Sequence, residues 1–134
     1  MAIRVVQLGS PRARGEGVRL GTVRRPPRGV RKQDYARRNF YDVWLPELAP
    51  SLALVAWAQS APLSDARWKT FARRYRAEMR RPAARRLLDL LAALSAQGNF
   101  AIGCYCDEAR RCHRSLLRQL LAERGARVHG RAAD

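Results

Sequence analysis

Residues 3–8 (IRVVQL) form a short, β-branched apolar run closed by Gly9, the pattern of a buried strand. Val18 to Arg24 (VRLGTVR) alternates apolar and polar and predicts a second strand. Gly21 within it points to a bulge or a close backbone approach, and Pro26-Pro27 must end it. Residues 42–49 (DVWLPELA) read as a short helical turn with Trp44, Leu45 and Leu48 inward. Ser51 then caps a short helix in which Leu54, Val55 and Ala58 share a face flanked by Trp57.

The strongest helical pattern starts at Ser64 as N-cap, with Asp65 in the first turn. Trp68, Phe71, Ala72, Tyr75 and Met79 recur at helical spacing and mark a buried aromatic stripe, while Arg67, Lys69, Arg73, Arg74, Arg76 and Arg80 occupy the other faces. Pro82 suits the first turn of a further helix with Leu87, Leu88, Leu91 and Leu94 on its apolar side and Gly98 at its end. Residues 100–106 (FAIGCYC) are nearly all apolar and predict a central strand. A polar turn follows, and Cys112 opens a helix whose Leu116, Leu117, Leu120 and Leu121 face the core until Gly125 stops it. Residues 126–129 (ARVH) predict a last short strand, completing a βαβ unit. The expectation is an α/β fold: a small, three-layer-like single domain over residues 1–134, with a short, mostly parallel sheet of about four strands flanked by helices. Residues 25–40 are expected to be an exposed basic loop and 130–134 a frayed tail.

Charge changes this picture in one respect. The chain of 134 residues has 27 basic and 11 acidic residues, a net of +16, and all but Lys32 and Lys69 of its basic residues are arginine. Arginine in place of lysine fits a GC-rich coding bias, but that bias does not explain the excess of bases over acids. Residues 1–40 alone carry 11 basic residues against Glu16 and Asp34, so a polyanion would meet the N-terminal third first. No segment is long and apolar enough for a signal peptide or a membrane span, the best being Leu52 to Ala58. The three cysteines, Cys104, Cys106 and Cys112, fall within nine residues, which is no secreted disulfide framework. A cytoplasmic chain with reduced thiols is expected.

The chemistry concentrates in GCYCDEARRCHRS, residues 103–115. Ligands of open α/β sheets bind beyond the carboxyl ends of strands. Here a strand end bearing Cys104 and Cys106 is followed by a helix start bearing Cys112, His113 and Arg114. The free N–H groups and positive end of that helix favour an anion and should lower the pKa of Cys112. Four readings are open. One is a phosphate or nucleotide site with arginine clamps. Another is thiol chemistry at Cys112 or Cys104, with His113 beside them. A third is a metal site formed by Cys104, Cys106, Cys112 and His113. The last is buried cysteines with no chemistry. Cys104 and Arg110 satisfy C-x5-R, but Asp107 and Glu108 between them would repel phosphate. His129 reads as structural, and no Walker loop, GxGxxG or HExxH is present, so no cofactor is expected. Trp44 and Trp57 are candidates for an interface.

GVRLGTVRRPPRGV, DVWLPELAPSLALVAW, RWKTFARRYRAEM and GCYCDEARRCHRSLLRQLL followed by VHG together resemble the bacterial and archaeal family called domain of unknown function 488. In one branch a strand ends in cysteine and Cys-His-Arg follows at a helix start, as Cys104 and Cys112-His113-Arg114 do here. The resemblance implies a compact α/β fold and no established reaction, although members are sometimes labelled as DNA-repair proteins. The sequence departs from the family pattern in three places. Val23 stands where an aspartate is expected, Pro26 where a tryptophan is, and Cys106 where relatives often carry a carboxylate. The preferred expectation is binding of a phosphate-bearing ligand, a nucleotide or nucleic acid, with Arg24, Arg28, Arg110 and Arg114 on the anion and Cys112 and His113 shaping the pocket. An enzyme using Cys104 or Cys112 is the alternative.

Overall fold

The computed structural model describes residues 2–106 and 111–129. Its centre is a four-stranded, all-parallel sheet in the order β1-β4-β2-β3, formed by β1 (Ile3–Gln7), β2 (Val18–Gly21), β3 (Val43–Trp44) and β4 (Phe100–Cys104). Four α-helices accompany it: α1 (Leu52–Gln59), α2 (Asp65–Glu78), α3 (Pro82–Leu94) and α4 (His113–Glu123). The expected α/β domain is present, but its fourth strand is not the expected one. Residues 126–129 contribute only an isolated parallel bridge, Ile3 to Val128, whereas Val43–Trp44 pairs with β2 as an edge strand. The helical turn expected over 42–49 is therefore a strand followed by a single 3-10 turn, Pro46–Leu48. Trp44 does not point into the core: it is 40% exposed, and its indole N–H donates to the Val23 carbonyl at 2.7 Å.

Period-two alternation gives the two faces of the sheet different partners. Ile3, Val5, Leu20, Phe100 and Ile102 pack into one apolar cluster with Leu54 of α1, Phe71 and Tyr75 of α2, Leu88 and Leu91 of α3, and Leu116, Leu117, Leu120 and Leu121 of α4. Leu94, expected in that core, is 44% exposed at the end of α3. The opposite face carries Arg19 and Gly21 and is covered by the long connections between strands. Arg19 is fully buried there, paired with Glu16 at 2.8 Å, and donates to the carbonyls of Ser10 and Asn39. The Tyr41 ring fills the space above Gly21, where a Cβ would lie 2.3 Å from a ring carbon.

Local signals set the helix ends. Ser51 and Ser64 accept from the N–H groups of Leu54 and Arg67, capping α1 and α2. Gly125, at φ +80°, ends α4 by letting Ala126 N–H return to the Leu121 carbonyl. These ends matter because α4 fixes the site. The connection leaving β2 runs to β3 on one side, while that leaving β4 runs through α4 to Val128 beyond β1 on the other. The two connections diverge between β2 and β4, and such a divergence opens a crevice at the carboxyl ends of the strands. No helix among the described residues is long and apolar enough to cross a membrane.

Candidate functional site

Cys104 is the last residue of β4 and lies on the helix-facing side of the sheet, in step with Phe100 and Ile102. Cys112 is the N-cap of α4, in extended conformation, so its side chain turns back toward the strand end. The two sulfurs are 2.7 Å apart in a second apolar cluster with Leu8, Val23 and Tyr41. Cys106 lies two residues beyond the strand and is exposed, yet its sulfur is within 4.8 Å of both others. The turn thus gathers all three thiols, two sealed in the core and one at the surface.

His113 opens α4 and is buried. Its Nε2–H donates to the Thr22 carbonyl at 2.5 Å, with the Thr22 hydroxyl 3.4 Å away, and this partner fixes the proton on Nε2. Nδ1 is then a bare acceptor, 3.7 Å from the Cys112 sulfur. Burial lowers the pKa of His113 to about 4, outweighing the bond to Thr22 and the charge of Cys106, so the ring is neutral. Arg114 is only 4% exposed, and its Nε and Nη1 have no hydrogen-bond partner among the described residues.

Hydrogen bonding from Cys104 and Cys112, joined by the charge of Arg114, holds Cys106 below an ordinary thiol despite desolvation. The thiol of Cys104 is pushed up to about 12 by its bond to Cys106 and by burial. Cys112 is pushed up further by its bonds to Cys104 and Cys106 and by burial. The expectation that the helix would acidify Cys112 is thereby corrected: burial and its sulfur neighbours push the Cys112 thiol up, and Cys106, the exposed one, is the thiol held down.

Cys104, Cys106 and His113 line a cleft of about 310 Å³ between the strand ends and α1. Arg24 and Arg25 form part of its rim, and Val23, Leu52 and Val55 supply apolar wall. Arg24 is partly committed elsewhere, donating to the carbonyls of Ala49 and Pro50 at 3.1 Å each. Arg28 is exposed in the loop after β2 and does not line the cleft. Arg110 lies outside the described residues. Arg111 bonds to the Leu63 carbonyl and Asp65 at the start of α2, which anchors the turn. Of the arginines expected on the anion, Arg24 lines the cleft, Arg28 does not, and Arg114 is buried in the protein interior. Val23, where the family resemblance led to an expected aspartate, packs against Cys104 and Cys112, so the buried thiols have an apolar neighbour.

The three thiols form the only cluster of metal-ligand type among the described residues. Two thiolates on one zinc ion, each about 2.3 Å from it, stay roughly 3.7 Å apart. The 2.7 Å between Cys104 and Cys112 does not fit that arrangement, and a metal would have to part them. The importance of Cys106 was hidden in the sequence. The alternation of a regular strand through residue 106 puts Cys104 and Cys106 on one face, but pairing stops at Cys104 and the chain turns outward.

Comparison with known families finds that the model described as the "Active DUF488-N3 subclade" matches residues 3–125. No match is found among curated proteins or solved structures.

Proposed function

The chain belongs to the Active DUF488-N3 subclade, and from that premise we propose that it is a cysteine-dependent enzyme whose reacting sulfur is Cys106. The observation that carries this reading is the arrangement of the thiols. One is exposed at a cleft, and two buried thiols lie within 4.8 Å of its sulfur, where this reading has them stabilise its negative charge. A thiolate is the nucleophilic form of cysteine, and a low pKa with solvent access is what distinguishes reactive cysteines from structural ones. The buried guanidinium of Arg114 supplies positive charge without competing for the sulfur from the solvent side. The description of the subclade as active favours chemistry over binding alone.

The substrate is an anionic small molecule. Arg24 and Arg25 stand on the cleft rim, and His113, which lines the same cleft, opens the positive end of α4. Iodoacetamide labelling at about pH 6, mapped by peptide mass, tests this reading. Cys106 is expected to label first and Cys104 and Cys112 to stay protected. Equal labelling of the three, or none until alkaline pH, would contradict it.

A second reading, binding of a phosphate-bearing ligand such as a nucleotide or nucleic acid without chemistry, is favoured by the two unpartnered nitrogens of Arg114 and by the charge of +16. Its test is thermal stabilisation by phosphate, nucleotides and oligonucleotides that weakens with salt. Stabilisation that survives Cys106→Ser with no selective labelling of Cys106 would favour it.

A further inference from the structure

A single reactive thiolate would need neither of the two sulfurs behind it. Cys104 and Cys112 are both almost fully buried, face each other at 2.7 Å, and each lies within 4.8 Å of Cys106. Their separation is too short for shared metal coordination and suits sulfur–sulfur exchange, which proceeds by thiolate attack on a disulfide sulfur through a mixed disulfide. We propose that the site reduces disulfides: Cys106 opens a small acidic disulfide, and Cys104 and Cys112 end joined to each other. This inference rests on Cys106 as the reacting sulfur and adds the substrate class and the fate of the electrons.

The steps balance. The Cys106 thiolate attacks one sulfur of the substrate R–S–S–R, forming a Cys106–S–S–R bond and releasing one thiolate. Cys112, whose sulfur lies 3.7 Å from His113 Nδ1, gives its proton to the first released thiolate. It then attacks the Cys106 sulfur, breaking the mixed bond and releasing the second thiolate. Cys104 then attacks Cys112, displacing the Cys106 thiolate and leaving a buried Cys104–Cys112 disulfide. Its proton neutralises the second released thiolate. One substrate disulfide is reduced to two thiols and one protein dithiol is oxidised, so Cys106 begins and ends the cycle as a thiolate. An external dithiol returns the protein to its starting state.

The cleft matches the substrate class. Its wall of Val23, Leu52 and Val55 accepts the carbon part of a small molecule, and Arg24 and Arg25 on its rim meet acidic groups. A protein disulfide is disfavoured because a cleft of about 310 Å³ is sized for a small ligand.

The test uses the reduced full-length chain and dithiobis(nitrobenzoate), an anionic aromatic disulfide that releases a coloured thiol. The wild type is expected to release two equivalents and retain no adduct. It should become lighter by two hydrogen atoms, with Cys104 and Cys112 bridged and Cys106 still open to alkylation on the peptide map. Cys112→Ser should stop after one equivalent with a stable adduct on Cys106. Cys104→Ser, a second variant should the first fail to fold, should release two equivalents but leave Cys106 bridged to Cys112. A wild type that keeps the adduct on Cys106, or that bridges Cys104 to Cys106, would overturn the relay while leaving Cys106 as the reacting sulfur. A first equivalent that does not come from Cys106 would overturn both readings.

Discussion

Arg114 and His113 show how burial bears on charge around the thiols. A guanidinium that is 4% exposed with two unpartnered nitrogens is costly to bury unless negative charge lies close by. On the proposed function, the thiolate of Cys106 supplies that charge. Arg114→Gln should therefore raise the pKa of Cys106 and move the acid limb of its alkylation profile to higher pH, with the rates converging at alkaline pH. An unchanged pH–rate profile would show that Arg114 does not act on the sulfur. His113 is driven by its burial to a pKa of about 4 in the folded chain, whereas the unfolded chain protonates it near 6.5. The unfolded state takes up the proton first as pH falls, so stability should drop between about pH 6.5 and pH 4, by up to about 3 kcal/mol. Urea midpoints across that range check this, and His113→Gln should flatten the slope.

At the level of elements, the site depends on where β4 stops and α4 starts. The caps that set such boundaries are open to direct test. Ser64→Ala removes the acceptor for Arg67 N–H at the start of α2 and should cost about 1 kcal/mol in denaturant unfolding. Gly21→Ala should cost more, about 1–3 kcal/mol, because the Tyr41 ring occupies the position of the added methyl. Most elements were legible in the sequence for the same reason that these caps are: β1, β2 and β4 are apolar runs closed by turn residues, and α2, α3 and α4 combine helical periodicity with Ser64, Pro82 and Gly125 at their ends. β3 was not legible. It is two residues long, its Val43 and Trp44 are both substantially exposed, and Pro46 follows at once, so neither alternation nor burial marks it. The residue set of the site was legible from spacing, but its division of labour was not. Which sulfur reaches solvent depends on pairing that ends at Cys104, a tertiary fact that the run FAIGCYC does not encode.

Over the whole molecule, the chain solves two problems with charge. The face of the sheet away from the helices is closed by loop rather than by helix, and the buried Glu16–Arg19 pair ties that loop to β2. Burial alone would raise the Glu16 carboxyl, but the bonds and charge of Arg19 hold it below its ordinary value. Arg19→Met leaves that carboxylate buried without its partner and should cost about 3–5 kcal/mol, measurable as a large fall in the thermal midpoint. On the proposed function, the second problem is a reactive sulfur on a small, strongly basic domain, and the fold answers it by placing Cys106 where β2 and β4 send their connections apart, beside a cleft with apolar walls.

That location of negative charge can be measured without any substrate. Ultraviolet absorbance of the thiolate, followed from mildly alkaline to strongly acidic pH in the reduced protein, should show one thiolate surviving far below the free-cysteine range near 8.5 and missing from Cys106→Ser. Thiolate absorbance that appears only above about pH 8, or that persists unchanged in Cys106→Ser, would contradict the account.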